Sequence, residues 1–257
     1  MTIKKHIPNL ITLGNLLCGV LASYFAIMCH FRIAALLICL GIVFDFFDGL
    51  SARLLKVSSP LGKELDSLAD LVTSGIAPAF IAFQFLEVFV EPYTSEPAHW
   101  FSFLIMLMPL FAAYRLAKFN LDEEQHHSFK GLPVPANALF WVGFAFMLPE
   151  PYLTGKQWLT PVIILVSIIL DILMVSNLPM FSLKFNFKDL SWKTNKTRYI
   201  FLIGCAVITL TMIFVEWHFN ECSTIDEIHI SWLALSLSIV WYIILSIIKR
   251  KETKSQI

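Results

Sequence analysis

Charge is scarce in this chain. Only 15% of its 257 residues are Asp, Glu, Lys or Arg, and acids and bases balance at 19 each. Without a net basic field, the electrostatic footprint of a nucleic-acid-binding protein is missing. Cysteine is thinly spread as well. Cys18, Cys29, Cys39, Cys205 and Cys222 form no C-x-x-C pair, which argues against a disulfide framework or a zinc site and leaves them as small packing residues. There is no internal repeat, no low-complexity tract and no separate soluble domain. The first residues, "MTIKKHIPNL", lead into an apolar run with no A-x-A cleavage site, so the run reads as a retained first helix rather than a signal peptide.

What is abundant is apolar surface: 57% of residues are hydrophobic. Whole windows of about 20 residues carry almost no charge, the mark of membrane-spanning helices. Eight spans are expected, over Asn9–Cys29, Ile33–Lys56, Leu61–Val90, Trp100–Phe119, Pro135–Pro149, Trp158–Val175, Tyr199–Trp217 and Ile230–Ile248. The fold class is therefore all-α, a polytopic transmembrane helix bundle. Placing the N-terminus in the cytoplasm puts all but Arg32 and Lys156 of the 19 basic residues on the inner side. The outer loops then hold acids such as Glu87, Glu91, Glu96 and Glu221. This positive-inside pattern requires an even number of spans with both termini cytoplasmic.

Against that background the stretch "DFFDGLSARLLKVSSPLGKELDSLAD", from Asp45 to Asp70, stands out. Asp45 and Asp48 are spaced i, i+3, and Asp66 and Asp70 are spaced i, i+4, so each pair shares one helical face. The linker Val57–Pro60 is short enough to make the two helices antiparallel neighbours, with Ser59 as N-cap and Pro60 opening the second helix. All four carboxylates then converge within the inner leaflet. An aspartate at the centre of a span costs on the order of 2.5–3.5 kcal/mol, and four together also repel. Divalent cations resolve both problems, because carboxylate oxygens are hard ligands suited to Mg²⁺, Mn²⁺ or Ca²⁺. Gly49, Ala52 and Gly62 leave the facing helix surfaces bare, and Arg53 offers a permanently charged fork for phosphate. The combination points to a pyrophosphate-containing ligand entering from the cytoplasm. A cation or proton-coupled transporter also buries acids, but has no need of the small-residue pattern.

The pattern D-x-x-D-G-x-x-A-R-x8-G-x3-D-x3-D, carried by Asp45, Asp48, Gly49, Ala52, Arg53, Gly62, Asp66 and Asp70, resembles the signature of the CDP-alcohol phosphotransferases. The resemblance implies two divalent cations, Mg²⁺ or Mn²⁺, held by Asp45, Asp48, Asp66 and Asp70, with Asp70 also the base that deprotonates the attacking alcohol. The segments "IPNLITLGNLLCG", "GKELDSLADLVTSGIAPA", "RLAKFN", "SFKGLPVPANALF" and "LMVSN" resemble the branch of that family that makes phosphatidylserine in bacterial and archaeal membranes. Lys118 stands where arginine is often expected, and "VTSG" where "VSFG" is common. What this branch implies is transfer of the phosphatidyl group from CDP-diacylglycerol to L-serine, with release of CMP. It also implies a homodimer in the bacterial inner membrane, with the site facing the cytoplasm. Residues 1–180 would then be the catalytic bundle and 181–257 a C-terminal pair of helices. An alternative within the family is another acceptor, of the glycerol phosphate or inositol type.

Serine needs a cation for its carboxylate and polar groups for its ammonium. Arg115, Lys118, Asn120 and Lys130, at the inner ends of spans four and five, are the candidates, with Arg115 placed deepest. Asn9, Thr12 and Asn15 share a face of the first span and are candidates to line the nucleotide or acceptor pocket. His126 and His127, beside Asp122, Glu123 and Glu124, read as a solvated loop. Asp171, in span six, calls for a cation partner.

Overall fold

The structure is a computed structural model that describes residues 6–57, 59–87, 100–121, 129–147, 158–181, 192–222 and 229–255. The loop with His126 and His127 lies outside the described residues. Eight helical spans run in chain order: α1 (His6–Ile27), α2 (Phe31–Leu55), α3 (Pro60–Phe85), α4 (Trp100–Leu121), α5 (Val134–Met147), α6 (Leu159–Val175), α7 (Trp192–Cys222) and α8 (Leu233–Ser255). α1 to α4 and the Asn195–His218 part of α7 are long and apolar enough to cross a membrane. α5, α6 and the apolar part of α8 are shorter. The chain is thus an all-α membrane helix bundle, as its hydrophobic runs imply.

The first two spans show why the acids are tolerated. α1 buries Pro8, Thr12, Asn15, Gly19, Ala22 and Ala26, and α2 buries Phe31, Ala34, Ile38, Gly41 and Asp48. Both sets follow the three- and four-residue steps of one helix face, down to Gly41 in α2, and the small side chains among them let membrane helices approach closely. Asp45 and Asp48 continue the α2 face. They face the bundle interior, while Leu36, Leu40, Val43, Phe46 and Phe47 are exposed toward the lipid side.

Both corners flanking α2 close with a left-handed residue that is not glycine. Cys29 (φ 61°) and Lys56 (φ 52°) hold these positions. At the second, Val57 N–H donates to Ala52 O at 3.0 Å and Lys56 N–H to Arg53 O at 3.2 Å, the paired bonds of a Schellman stop. α3 then starts as its sequence requires: Ser59 Oγ accepts from Gly62 N–H at 2.9 Å, with Pro60 in the first turn. Between Leu71 and Ile76 the helix widens into a π-helical stretch, just past Asp70. Thr73 in that stretch seats against α1 and α2 where only glycine fits. A Cβ on Gly41 would lie 2.5 Å from Thr73 Cγ2, and one on Gly19 would lie 2.7 Å from the Thr73 backbone nitrogen.

The loop between α4 and α5 adds a feature the hydrophobic pattern does not announce. Residues Phe129–Lys130 (β1) pair antiparallel with Pro179–Met180 (β2) just past α6. Gly131, at φ 77°, extends the clamp by donating to Leu178 O at 2.8 Å. Behind it, α8 docks on α5: Ser236 Oγ–H donates to Phe140 O at 2.6 Å, and Tyr242 Oη–H donates to Phe181 O at 3.0 Å. α7 is the outermost span, and its apolar window buries none of its residues inside the bundle.

Candidate active site

The first turns of α1 and the ends of α2 and α3 that flank their linker meet around the acids. Asp45, Asp48 and Asp66 each bring a carboxylate oxygen within 4.8 Å of the other two. Asp70, one turn further along α3, stands within electrostatic reach of Asp45 and Asp48 but outside the tight triad.

α1 supplies the donors that orient these acids. Thr12 Oγ1–H lies 2.6 Å from Asp48 Oδ2, and the Asn15 side-chain amide donates to Asp70 Oδ1 at 3.2 Å. Thr73 Oγ1–H donates to the Asn15 carbonyl at 2.9 Å, tying the π-helical stretch to the same turn of α1. Asp48 and Asp70 thus each have one oxygen held by α1. By contrast, Asp66 Oδ1 is buried without a hydrogen-bond partner. A buried, unpaired carboxylate oxygen beside two more carboxylates is the environment a hard divalent cation would complete. The donor set fits such an ion, and the acidic cluster is able to hold one.

Above the acids opens a cleft of about 260 Å³. It is lined by Pro8, Asn9 and Thr12 of α1, Asp48, Gly49 and Ala52 of α2, Val57 and Ser59 of the linker, and Gly62, Lys63 and Asp66 of α3. Gly49, Ala52 and Gly62 all fall in this lining. A Cβ on Gly49 would meet nothing within 4 Å, so that helix surface is open at the cleft, whereas one on Gly62 would reach 3.1 Å from Asn9 Oδ1, so the missing side chain there lets α1 approach closely. Arg53 lies outside this lining. It is exposed at the end of α2, and its Nε–H donates to Gly49 O at 2.9 Å. The cation that lines the cleft is Lys63, which spacing arguments had not singled out.

The acceptor candidates separate into three groups. Arg115 is buried, its Nε has no hydrogen-bond partner, and its guanidinium sits 5.9 Å from the Phe119 ring centroid. It lies within electrostatic reach of Asp70 and of Tyr242 from α8. Lys118 and Asn120 are engaged by the protein itself: Lys118 Nζ donates to Asn177 Oδ1 at 2.8 Å, and the Asn120 amide donates to Ser67 Oγ at 2.8 Å. Lys130 sits in the short ladder, opposite Pro179. Asp171 stands apart in α6, with both carboxylate oxygens buried and without a hydrogen-bond partner.

Comparison with known proteins agrees with this geometry. A family model of CDP-alcohol phosphatidyltransferase matches residues 5–173, which takes in α1 to α6 almost whole. Among curated relatives, a Helicobacter pylori protein is 30% identical over 214 residues, covering 81% of each chain. A Bacillus subtilis protein is 35% identical over 142 residues, 55% of this chain and 76% of its own length. A Methanocaldococcus jannaschii protein is 31% identical over 172 residues, 67% of this chain and 72% of its own. All three bear the name CDP-diacylglycerol--serine O-phosphatidyltransferase. With Asp48, Gly49, Ala52, Gly62 and Asp66 of its signature lining one cleft and its first six spans matched by the family, the chain belongs to the CDP-alcohol phosphatidyltransferases.

Proposed function

We propose that the protein transfers the phosphatidyl group of CDP-diacylglycerol to the hydroxyl of L-serine, giving phosphatidylserine and CMP. The observation that carries this reading is the placement of Asp70 between two different chemistries. On one side is the carboxylate triad beneath an open cleft, and on the other is the buried, incompletely bonded Arg115. The names of the relatives support serine as the acceptor.

In this reading the cytidine and pyrophosphate enter the cleft along Gly49, Ala52 and Gly62, with Lys63 and the outer Arg53 at its mouth. Two divalent cations, Mg²⁺ or Mn²⁺, held by Asp45, Asp48, Asp66 and Asp70, would offset phosphate charge as the phosphoryl group transfers. Arg115 receives the serine carboxylate. Asp70 takes the proton from the serine hydroxyl, whose oxygen forms a bond to the β-phosphorus as the bond from that phosphorus to CMP breaks. Thr12 and Asn15 keep Asp48 and Asp70 turned toward the reacting groups. Acyl chains stay in the bilayer because the site lies near the membrane's inner edge, which the positive-inside pattern assigns to the cytoplasm. We place the protein as a homodimer in a bacterial inner membrane on the strength of the family resemblance.

The test is CMP release by purified protein given CDP-diacylglycerol, Mg²⁺ or Mn²⁺, and a panel of L-serine, glycerol 3-phosphate and inositol. Release that depends on serine, with phosphatidylserine as product, is the expected result. Release only with another alcohol overturns the acceptor assignment. No release with any alcohol, together with ion flux in liposomes, overturns the enzyme reading.

A further inference from the structure

α3 and α4 run antiparallel and touch at two levels. Deep in the bundle they meet closely: a Cβ built on Gly75 would lie 3.1 Å from Ala112 Cβ and 3.8 Å from Pro109 Cα. At the cytoplasmic end they meet through polar groups. The Asn120 amide donates to Ser67 Oγ at 2.8 Å, and Lys63 Nζ donates to the Asn120 carbonyl at 2.7 Å. Lys63 and Ser67 are one turn apart on α3, so Asn120 is gripped twice by the same helical face. Lys118, in the same final turn of α4, is held on the other side by Asn177 beyond α6. Antiparallel register between the Gly75–Ala112 and Ser67–Asn120 contacts places Asp70 at the level of Ala117, two residues from Arg115, whose long side chain lies within electrostatic reach of Asp70.

We infer that the Ser67–Asn120 clasp sets the α3–α4 spacing at Asp70 and Arg115, making Asn120 and Ser67 positioning residues rather than substrate ligands. The inference rests on the reading above, in which Asp70 and Arg115 handle the acceptor. The spacing is pinned at two levels, and only one of them can give. The deep contact is small side chain against small side chain and has no slack, whereas the outer contact is a pair of hydrogen bonds near water. Releasing that end lets α4 swing away from α3, which moves Arg115 relative to Asp70. The nucleotide cleft contains no residue of α4 and shares only Lys63 with the outer contact; Lys63 bonds the Asn120 main-chain carbonyl, which side-chain truncation at Asn120 or Ser67 leaves in place.

The experiment is steady-state kinetics with both substrates varied, on the full chain in detergent or nanodiscs. Asn120→Ala and Ser67→Ala each raise KM for the acceptor by about three- to tenfold, the scale of one lost hydrogen bond, while KM for CDP-diacylglycerol stays within about twofold. The double variant is no worse than either single one, because the two side chains share one interaction. Ser67→Thr, which keeps the hydroxyl, restores the acceptor KM. An equal rise in both KM values, full additivity in the double variant, or loss of thermal stability with unchanged kinetics would each overturn the clasp. If the wild-type protein turns over a different alcohol, the same split is read on that alcohol, so failure of the serine assignment and failure of the clasp give distinct results.

Discussion

Two regions of this bundle carry hydroxyl and amide side chains inside apolar helices, and they satisfy them in opposite ways. In α7 and α8 most hydroxyls turn back onto their own helix. Thr209 donates to Cys205 O at 2.8 Å, Ser238 to Ala234 O at 2.7 Å and Ser246 to Tyr242 O at 2.9 Å, each four residues earlier. Around the acids the bonds cross between helices, from Thr12 to Asp48, Asn15 to Asp70 and Thr73 to the Asn15 carbonyl, while Ser23 and Ser51 in α1 and α2 still turn back onto Gly19 O and Asp48 O. A bond to the preceding turn hides a polar group from lipid but says nothing about a neighbour's position. A bond to another helix fixes depth and rotation at once, because in a membrane the alternative is an unsatisfied group. Cross-helix bonding is therefore concentrated where geometry has to be held for chemistry.

That contrast is open to direct attack. The largest effect is expected from the acids themselves. Asp45→Asn abolishes turnover and nucleotide binding together, whereas Asp70→Asn abolishes turnover while retaining more of the binding, as read by titration with a CDP analogue. Equal loss of binding in both variants would remove Asp70 from its separate role as base. Thr12→Val comes next. It keeps the shape of the side chain but releases Asp48, and activity at saturating substrate should fall about 10- to 100-fold, the range seen when a group supporting a metal ligand is lost. A fall smaller than threefold would mean that α1 merely packs. The smallest effect belongs to Ser246→Ala in α8, where the lost bond is local. Activity should be unchanged and thermal stability should move by no more than about 0.5 kcal/mol.

The same contrast explains what could be read from residues alone. Asp45, Asp48, Asp66 and Asp70 were legible because helical periodicity converts spacing into a shared face, and a membrane makes four acids on one face costly enough to need a reason. Ser59 and Pro60 were legible because caps are local. The Asn9, Thr12 and Asn15 face was visible as a polar stripe, although its partners were not, since nothing in local spacing links Thr12 to Asp48. Arg53 and Lys63 show the limit. Both flank the α2–α3 turn, and spacing alone does not tell that Lys63 lines the cleft while Arg53 folds back onto Gly49. The β1–β2 clamp and the Ser67–Asn120 clasp depend on contacts more than 45 residues apart in sequence, beyond any periodicity argument.

The tight corner at Met28–His30 bears on how the first acids are accommodated. His30 N–H donates to Phe25 O at 2.9 Å and Cys29 N–H to Ala26 O at 3.0 Å, so α1 and α2 are joined with almost no connecting chain. Because the two spans are consecutive, the hairpin contains both members of the Thr12–Asp48 bond and needs nothing from α3 to make it. The first pair of acids thus carries its own hydroxyl donor, so half of an expensive polar site is provided for within a single pair of neighbouring helices.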